Sequence, residues 1–103
     1  QLSCLGLIDE CLLTICRVCR GLRELDVSEN TTLTSVSCQN LNHLCHLEKL
    51  NLSNCRHLND SALKWLPPSL IQVQFNSMLV TDIGMGFLVD KTKLTHLEAR
   101  DTR

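Results

Sequence analysis

Apolar residues in this chain follow a strand period and then a helical period within one short stretch. In residues 47–66, Leu50 and Leu52 alternate with polar residues, as in a strand with one buried face. Further on, Leu63 and Leu66 have the spacing of residues on one face of a helix. The stretch therefore predicts a strand, a turn and a helix, in that order. Such a unit has one apolar edge that it cannot bury alone.

Copies of this unit recur along the chain at intervals of about 24 residues, which is typical of a solenoid. Their first leucines are Leu22, Leu47, Leu70 and Leu94. A predicted helix start recurs as well, in the form of an apolar residue, a spacer and a residue type favoured at helix N-caps. The residues predicted to begin the helices are Asp9, Ser35, Asp60 and Asp82.

The units resemble the cysteine-containing subclass of leucine-rich repeats. Residues 47–66 carry most of the pattern of that subclass, including Cys55 after the strand. Residues 80–85, Val-Thr-Asp-Ile-Gly-Met, are similar to its I-T-D-x-G-L portion, and residues 12–22 are similar to its second cysteine portion. The resemblance implies an α/β leucine-rich-repeat solenoid, a horseshoe segment with parallel strands on the concave face and helices on the convex face.

One domain is expected over residues 1–103, with about four repeats. The repeat boundaries are predicted at 1–21 (partial), 22–46, 47–69, 70–93 and 94–103 (partial). The partial units at both ends lead us to expect that the sequence opens inside a repeat and belongs to a longer array. Flanking repeats of the same chain are therefore expected partners.

Within these units the pattern predicts strands and helices in alternation. Strands are expected at 24–28, 49–53, 72–76 and 95–100, and helices at 9–19, from 35, from 60 to before Pro67, and at 82–89. Two positions stay open. Residues 33–38 contain β-branched residues and are alternatively a strand. In the fourth unit one residue is missing before Val80, so that either Ser77 or Met78 stands at the cysteine position.

Packing distances predict a curved array. Parallel strands lie about 4.8 Å apart and helices about 8–10 Å apart, so stacked units bend with the strands on the inner side. The residues between the inward apolar positions are expected on that concave face, Ser28, Ser53 and Asn76 among them. Either this face is a solvated sheet surface or it binds a partner. The candidate partner-binding residues are Glu24, Asp26, Lys49, Asn51, Gln72, Gln74, His96, Glu98 and Arg100.

Composition limits the function classes. The formal net charge of −1 and the pI of about 6.4 argue against a nucleic-acid or polybasic membrane surface. No apolar run is long enough to cross a bilayer, and no targeting segment is visible. Seven cysteines make an odd number, unlike a disulfide framework. We expect reduced thiols at core positions and an intracellular, most plausibly cytoplasmic, protein. These core positions hold Cys4, Cys16, Cys19, Cys38, Cys45 and Cys55.

A few residues have types suited to catalysis or metal binding as well as to a structural role. Cys16 and Cys19 form a C-x-x-C pair that suits half a zinc site or a redox pair, but the repeat already explains both as core. The histidines have no fixed partner for nucleophilic catalysis. Trp65 either packs against the helix of the neighbouring repeat or marks a partner site. We expect no metal, no cofactor and no enzymatic activity.

The function expected from these observations is a protein-interaction scaffold that uses the concave sheet face. Two alternatives come from the resemblance. Repeats of this subclass are similar to those of F-box proteins, which implies the substrate-recognition part of a ubiquitin ligase. Similar repeats in flagellar and other assemblies imply a segment of a structural subunit in a large intracellular assembly. The identity of the partner does not follow from the sequence.

Overall fold

Strands and helices alternate along the chain. The computed structural model describes residues 2–3, 9–30, 33–76, 80–88, 91 and 93–98, with the side chains of 2–3 and 36–37 excepted. The strands are β1 (Leu2–Ser3), β2 (Glu24–Asp26), β3 (Lys49–Asn51), β4 (Gln72–Gln74) and β5 (His96–Glu98). The helices are α1 (Asp9–Val18), α2 (Ser35–Cys38), α3 (Asp60–Leu63) and α4 (Asp82–Gly86), and a 3-10 helix, Gln39–His43, directly follows α2.

The five strands form one parallel sheet. Their order in the sheet is their order in the chain, β1-β2-β3-β4-β5. The register makes Leu25, Leu50, Val73 and Leu97 successive partners across four strands. The predicted parallel pairing of 24–28, 49–53 and 72–76 is therefore confirmed, although each strand is shorter than predicted.

The strands end early because the chain turns inward after their third residue. The carboxylate of Asp26 accepts a hydrogen bond from the backbone N–H of Ser28 at 2.9 Å, and Asn51 accepts one from Ser53 at 3.0 Å. Turns of this Asx type let the side chain replace a backbone partner. Glu29 and Asn54 then adopt left-handed backbone, each with φ of 63°. The residues that follow enter the interior.

The core lies between the sheet and the helices and is almost wholly aliphatic. Its strand side contains the predicted inward positions: Leu25, Val27, Leu47, Leu50, Leu52, Leu70, Val73 and Phe75 are all buried. Its helix side contains Leu12, Cys16, Cys38, Leu41, Leu44, Ala62, Leu63 and Leu66. The predicted inward positions are thus confirmed for the three central strands.

The helices are shorter than predicted, and one is mixed. Residues 35–38 are helical, so the alternative strand over 33–38 is wrong. The second unit is rich in Ser, Thr and Asn, which favour turns over helix interiors, and its helix passes into a 3-10 turn after one turn. Helix α3 ends at Leu63, before Pro67 is reached. The predicted buried side chain of Val36, and Val89 at the predicted end of the fourth helix, lie outside the described residues.

The helices begin at the predicted residues, Asp9, Ser35, Asp60 and Asp82, but the N-caps of α3 and α4 lie one position earlier than predicted. Asn59 and Thr81 are the N-caps of α3 and α4, and their side chains accept from the backbone N–H groups of Ser61 and Ile83. The predicted caps Asp60 and Asp82 are instead the first helical residues. The side-chain oxygen of a Thr or Asn at the preceding position accepts hydrogen bonds from the N–H groups of the first turn as well as an Asp carboxylate would. The carboxylate of the Asp is then available for a different contact.

That contact links neighbouring units. Asp60 accepts hydrogen bonds from the backbone N–H of Thr81, at 2.8 Å, and from its hydroxyl. Asp9 accepts from the same two groups of Thr34, at 2.9 and 2.7 Å. These bonds join the start of α1 to the start of α2, and the start of α3 to the start of α4. They fix how far each unit is shifted against its neighbour. Apolar contacts alone would leave that shift adjustable.

The predicted core cysteines divide into buried and exposed groups. Cys16, Cys38 and Cys55 are fully buried, and the Cys55 thiol donates to the carbonyl oxygen of Val27 in the preceding unit at 3.0 Å. Cys19 is half-buried. The prediction for Cys45 is wrong: it lies in the turn after the 3-10 helix and is exposed.

The structure places neither Cys11 nor Cys4 in the buried or half-buried group. Cys11, on the outer side of α1, is also exposed and free. Cys4 and the Ser77/Met78 position lie outside the described residues. The cysteines that the structure describes form no disulfide with one another.

Replacing Leu50 by Ala should lower the free energy of unfolding by about 2–5 kcal/mol, because a fully packed side chain leaves a cavity. Glu24→Ala, on the outer face of the neighbouring strand, should change it by less than about 0.5 kcal/mol. Glu24 contacts Lys49 only across an exposed 3.9 Å ion pair. Urea denaturation measures both. Equal losses would mean that the two faces of the sheet are wrongly assigned.

A pair of glycine variants tests the contact between units. A Cβ on Gly84 would overlap the Asp60 carboxylate and lie 3.1 Å from Val80 Cγ1, whereas a Cβ on Gly86 meets nothing within 4 Å. Gly84→Ala should therefore destabilise the chain by about 1–3 kcal/mol through overpacking. Gly86→Ala, at the last residue of α4, should stabilise it by about 0.4–1 kcal/mol, because Ala restricts the unfolded chain more than Gly does. Stabilisation by both changes in urea denaturation would contradict the contact.

Thiol labelling tests the arrangement of the cysteines. Burial, and then the neighbouring Cys19, raise the pKa of Cys16 to about 11, so its thiol stays protonated and unreactive near neutral pH. We expect iodoacetamide to label Cys11 and Cys45 first, and Cys16, Cys38 and Cys55 only when guanidinium unfolds the chain. Peptide mass spectrometry over a time course measures this order. Labelling of Cys16 as fast as Cys45 in the folded chain would refute it.

Candidate functional site

The outer face of the sheet presents two registered rows of polar side chains. The first row crosses the strands as Glu24, Lys49, Gln72 and His96, and the second row crosses them as Asp26, Asn51, Gln74 and Glu98. Side chains at the first and third positions of a strand point to the same face, because the strand alternates. These are eight of the nine predicted partner-binding residues. The ninth, Arg100, lies outside the described residues.

Exposure along the rows is graded. Lys49 and His96 are exposed, and the other six side chains are half-buried. A depression of about 120 Å³ lies over β2, β3 and β4, and a second one of about 440 Å³ lies over β4 and β5. Both are lined by residues of the two rows. The face is therefore accessible to a partner along its width.

Contacts within the rows are few. Lys49 Nζ lies 3.9 Å from a Glu24 carboxylate oxygen, and the amide of Gln74 donates to Glu98 at 2.8 Å. An exposed ion pair at that distance contributes little to stability. Among the described side chains of the two rows, three carboxylates oppose one ammonium group. The face thus carries a moderate negative charge.

Two of the predicted binding residues also have a structural role that the sequence analysis missed. The side-chain oxygens of Asp26 and Asn51 accept from the backbone two residues later and end their strands. The signal was present, since Asp and Asn two residues before Ser are typical of Asx turns. Their remaining polar atoms face the surface of the sheet.

Ser53 was expected on the concave face and is instead buried, with 6% of its surface exposed. Its hydroxyl oxygen accepts a hydrogen bond from the backbone N–H of Asn76 at 3.0 Å. The turn after each strand leads inward, so the position beyond the third strand residue contacts the neighbouring unit. Ser28 and Asn76, at the equivalent positions, are half-buried.

The residues considered for metal or redox chemistry do not assemble into a site. Cys16 is buried on α1 and Cys19, directly after that helix, is half-buried, while the four histidines are exposed at separate places on the surface. Within the described parts of the chain, no group of three or more His, Cys, Asp or Glu side chains could hold a metal ion. The described helices also include none that is long and apolar enough to cross a membrane.

Two further surface features lie outside the two rows, and the first of them, Trp65, has two alternative roles in the sequence analysis. Trp65 is half-buried, and the Lys64 ammonium lies 5.3 Å from the centre of its ring. A depression of about 190 Å³ at the edge where the strands begin is lined partly by Arg23, His46 and Lys93. Arg23 there forms a 3.8 Å ion pair with Glu48, which partly neutralises this edge.

Comparison with known proteins gives a fold rather than a family. No family model matches the chain. The C-terminal domain of tropomodulin from Caenorhabditis elegans is a similar solved structure, with a TM-score of 0.67 and 16% sequence identity. The match covers 92% of this chain and 65% of that one, so the chain spans less than two thirds of the length of its neighbour. At this identity the similarity concerns the fold alone, and it shows a leucine-rich-repeat-like α/β fold.

Proposed function

We propose that this chain is a protein-interaction module whose partner binds the outer face of the sheet. The observation that carries the proposal is the pair of registered polar rows, from Glu24 to His96 and from Asp26 to Glu98. Repeating units place chemically varied side chains in line on one accessible face. The leucine-rich-repeat-like fold supports a protein-binding role in general terms.

The overall geometry proposed is a curved solenoid, with the polar rows on its concave side. Helices of neighbouring units need about 8–10 Å between their axes, and parallel strands about 4.8 Å. A sheet backed by helices on one side only relieves that difference by bending around the strand face. Concave surfaces of this kind bring several strands into contact with one partner.

A binding role is proposed in preference to an enzymatic one. Burial raises the pKa of the Cys16 thiol and also that of the Cys55 thiol, which disfavours the reactive thiolate. His96, the one histidine in the two rows, has the hydroxyl of Thr95 2.9 Å from its ring nitrogen. Within the part of the chain that the structure describes, none of these groups lies beside a partner suited to nucleophilic catalysis.

Membership of the cysteine-containing repeat subclass is part of the same proposal. Cys55 supports it, because its thiol fills the interior position after β3 and bonds to the previous unit. A narrower role as the substrate-recognition part of an F-box-type ubiquitin ligase is supported by the resemblance of the repeats alone. The described cysteines form no disulfide with one another, which supports an intracellular location as part of the proposal.

Site-specific photo-crosslinking tests the proposed surface. We expect p-benzoyl-phenylalanine at Gln72, in the first row, to give an adduct of one defined mass in cells that express the protein. The same group at Ser61, exposed on α3, serves as the matched control and should give none. The partner identified from the adduct should then bind the purified chain, and Gln72→Arg should weaken that binding. Adducts from Ser61 and none from Gln72 would place the interaction on the helix side and refute the proposal.

A further inference from the structure

We propose that the edge of the sheet where the strands begin is a second interaction surface, which binds an acidic polypeptide segment. This edge lies beside the polar rows, and its role does not depend on the partner proposed for them. Charge is divided unequally between the two edges of the sheet, and the basic edge carries a depression lined by cations.

The two edges of the sheet carry opposite charge. Because neighbouring strands are parallel, the chain returns through each helix to the edge where the strands begin. The described residues of that edge include six cations and one carboxylate: Arg17, Arg20, Arg23, Lys64, Lys91, Lys93 and Glu48. Those of the opposite edge, where the helices begin, include five carboxylates and one cation: Asp9, Glu10, Glu29, Asp60, Asp82 and Arg56. The formal net charge of −1 therefore conceals a separation of charge across the sheet.

The helix dipole accounts for only part of this pattern. The C-terminus of a helix favours cations, and Arg17 lies in the last turn of α1. That effect falls off within one turn. Arg23 stands well beyond the end of α1 at Val18, and Lys93 well beyond the end of α4 at Gly86. The dipole therefore does not account for the two cations beside the strands.

Arg23 and Lys93 both line the depression of about 190 Å³ at this edge. Its lining also includes half-buried Ser69 and exposed His46. The Ser69 hydroxyl donates to the carbonyl oxygen of Leu47 at 2.6 Å, which ties this part of the lining to the neighbouring unit. The depression is therefore a concave polar surface with basic groups around it.

The basic groups of the depression are open to an anion. Lys93 and His46 make no side-chain hydrogen bond or ion pair with any described residue. Arg23 lies 3.8 Å from the Glu48 carboxylate, which is too far for the paired hydrogen bonds that a guanidinium group forms with a carboxylate. The side chain of Arg23 is 70% exposed, so this ion pair is weak. A carboxylate of a partner can form the bonds that Glu48 does not.

A short acidic segment fits this edge better than a long polyanion does. The opposite edge and the polar rows carry negative charge, which repels a polyanion that extends beyond the depression. Arg23 precedes β2 and Lys93 precedes β5, three strand spacings away, which amounts to roughly 14 Å. About four or five residues of extended chain span that distance. The partner chemistry is therefore a run of Asp and Glu of that length within an otherwise uncharged segment.

Fluorescence anisotropy with two labelled peptides tests this surface. One peptide contains Glu, Asp, Gly and Ser, and in the other Gln and Asn replace the acids. We expect the acidic peptide to bind the chain at least tenfold more tightly at low salt and to lose affinity as salt is added. Lys93→Gln should weaken its binding about threefold. The matched control Arg56→Gln removes one exposed cation from the opposite edge and should leave the affinity unchanged.

A gain of affinity separates binding from damage to the fold. Glu48→Gln removes the carboxylate that competes for Arg23, so it should strengthen binding of the acidic peptide about threefold. Glu29→Gln changes the net charge equally at the opposite edge and should not alter the affinity.

Thiol labelling locates the bound peptide. Cys45 lines the depression and is exposed, whereas Cys11 is exposed near the start of α1, on the opposite edge. A saturating concentration of the acidic peptide should slow the reaction of Cys45 with iodoacetamide about fivefold and leave the reaction of Cys11 unchanged.

Four results would overturn the inference. These are no preference for the acidic peptide, equal effects of the two variants in either matched pair, no protection of Cys45, and tighter binding of an oligouridylate of equal charge that Lys93→Gln also weakens. The last result would assign the edge to nucleic acid. The Gln72 adduct reports on the outer face of the sheet alone, so the proposed function stands or fails separately from these results.

Discussion

Each unit of this chain has an apolar edge that only the next unit can cover, and this constraint organises the structure. Leu25, Leu50 and Val73 stand in register on neighbouring strands, and each is at most 2% exposed. Leu97 holds the same position on β5, beyond which no strand is paired among the described residues, and it is 43% exposed. Burial of a given leucine thus depends on its neighbouring unit more than on its own.

Polar contacts then set how the units are aligned. Apolar packing is non-directional, so it stabilises the stacking of units without fixing how far one unit is shifted against the next. Hydrogen bonds are directional and supply that information. The pairs Asp9–Thr34 and Asp60–Thr81 align the helix starts, and the Cys55 thiol bonds back to Val27 on the strand side. Gly84 belongs to the same arrangement, because only its lack of a side chain leaves room for the Asp60 carboxylate.

The polar face of the sheet is a consequence of this alignment. Once the inward residues are stacked in register, the residues between them form straight rows. Individual side chains there contribute little to stability, as the exposed Glu24–Lys49 pair illustrates. They can therefore vary with function while the core keeps the fold. Asp26 and Asn51 are constrained further, since each also ends its own strand.

The sequence by itself determined the repeat, the parallel strands and the inward leucines, because a period of two residues admits one assignment of faces once one face is apolar. It predicted eight described members of the polar rows for the same reason. Tertiary structure decided which of two adjacent good capping residues caps α3, since Asn59 and Asp60 are equally suitable locally and only the neighbouring Thr81 distinguishes them. It also decided the burial of Ser53 and the exposure of Cys45. Those outcomes depend on contacts between units, and such contacts have no period in the sequence.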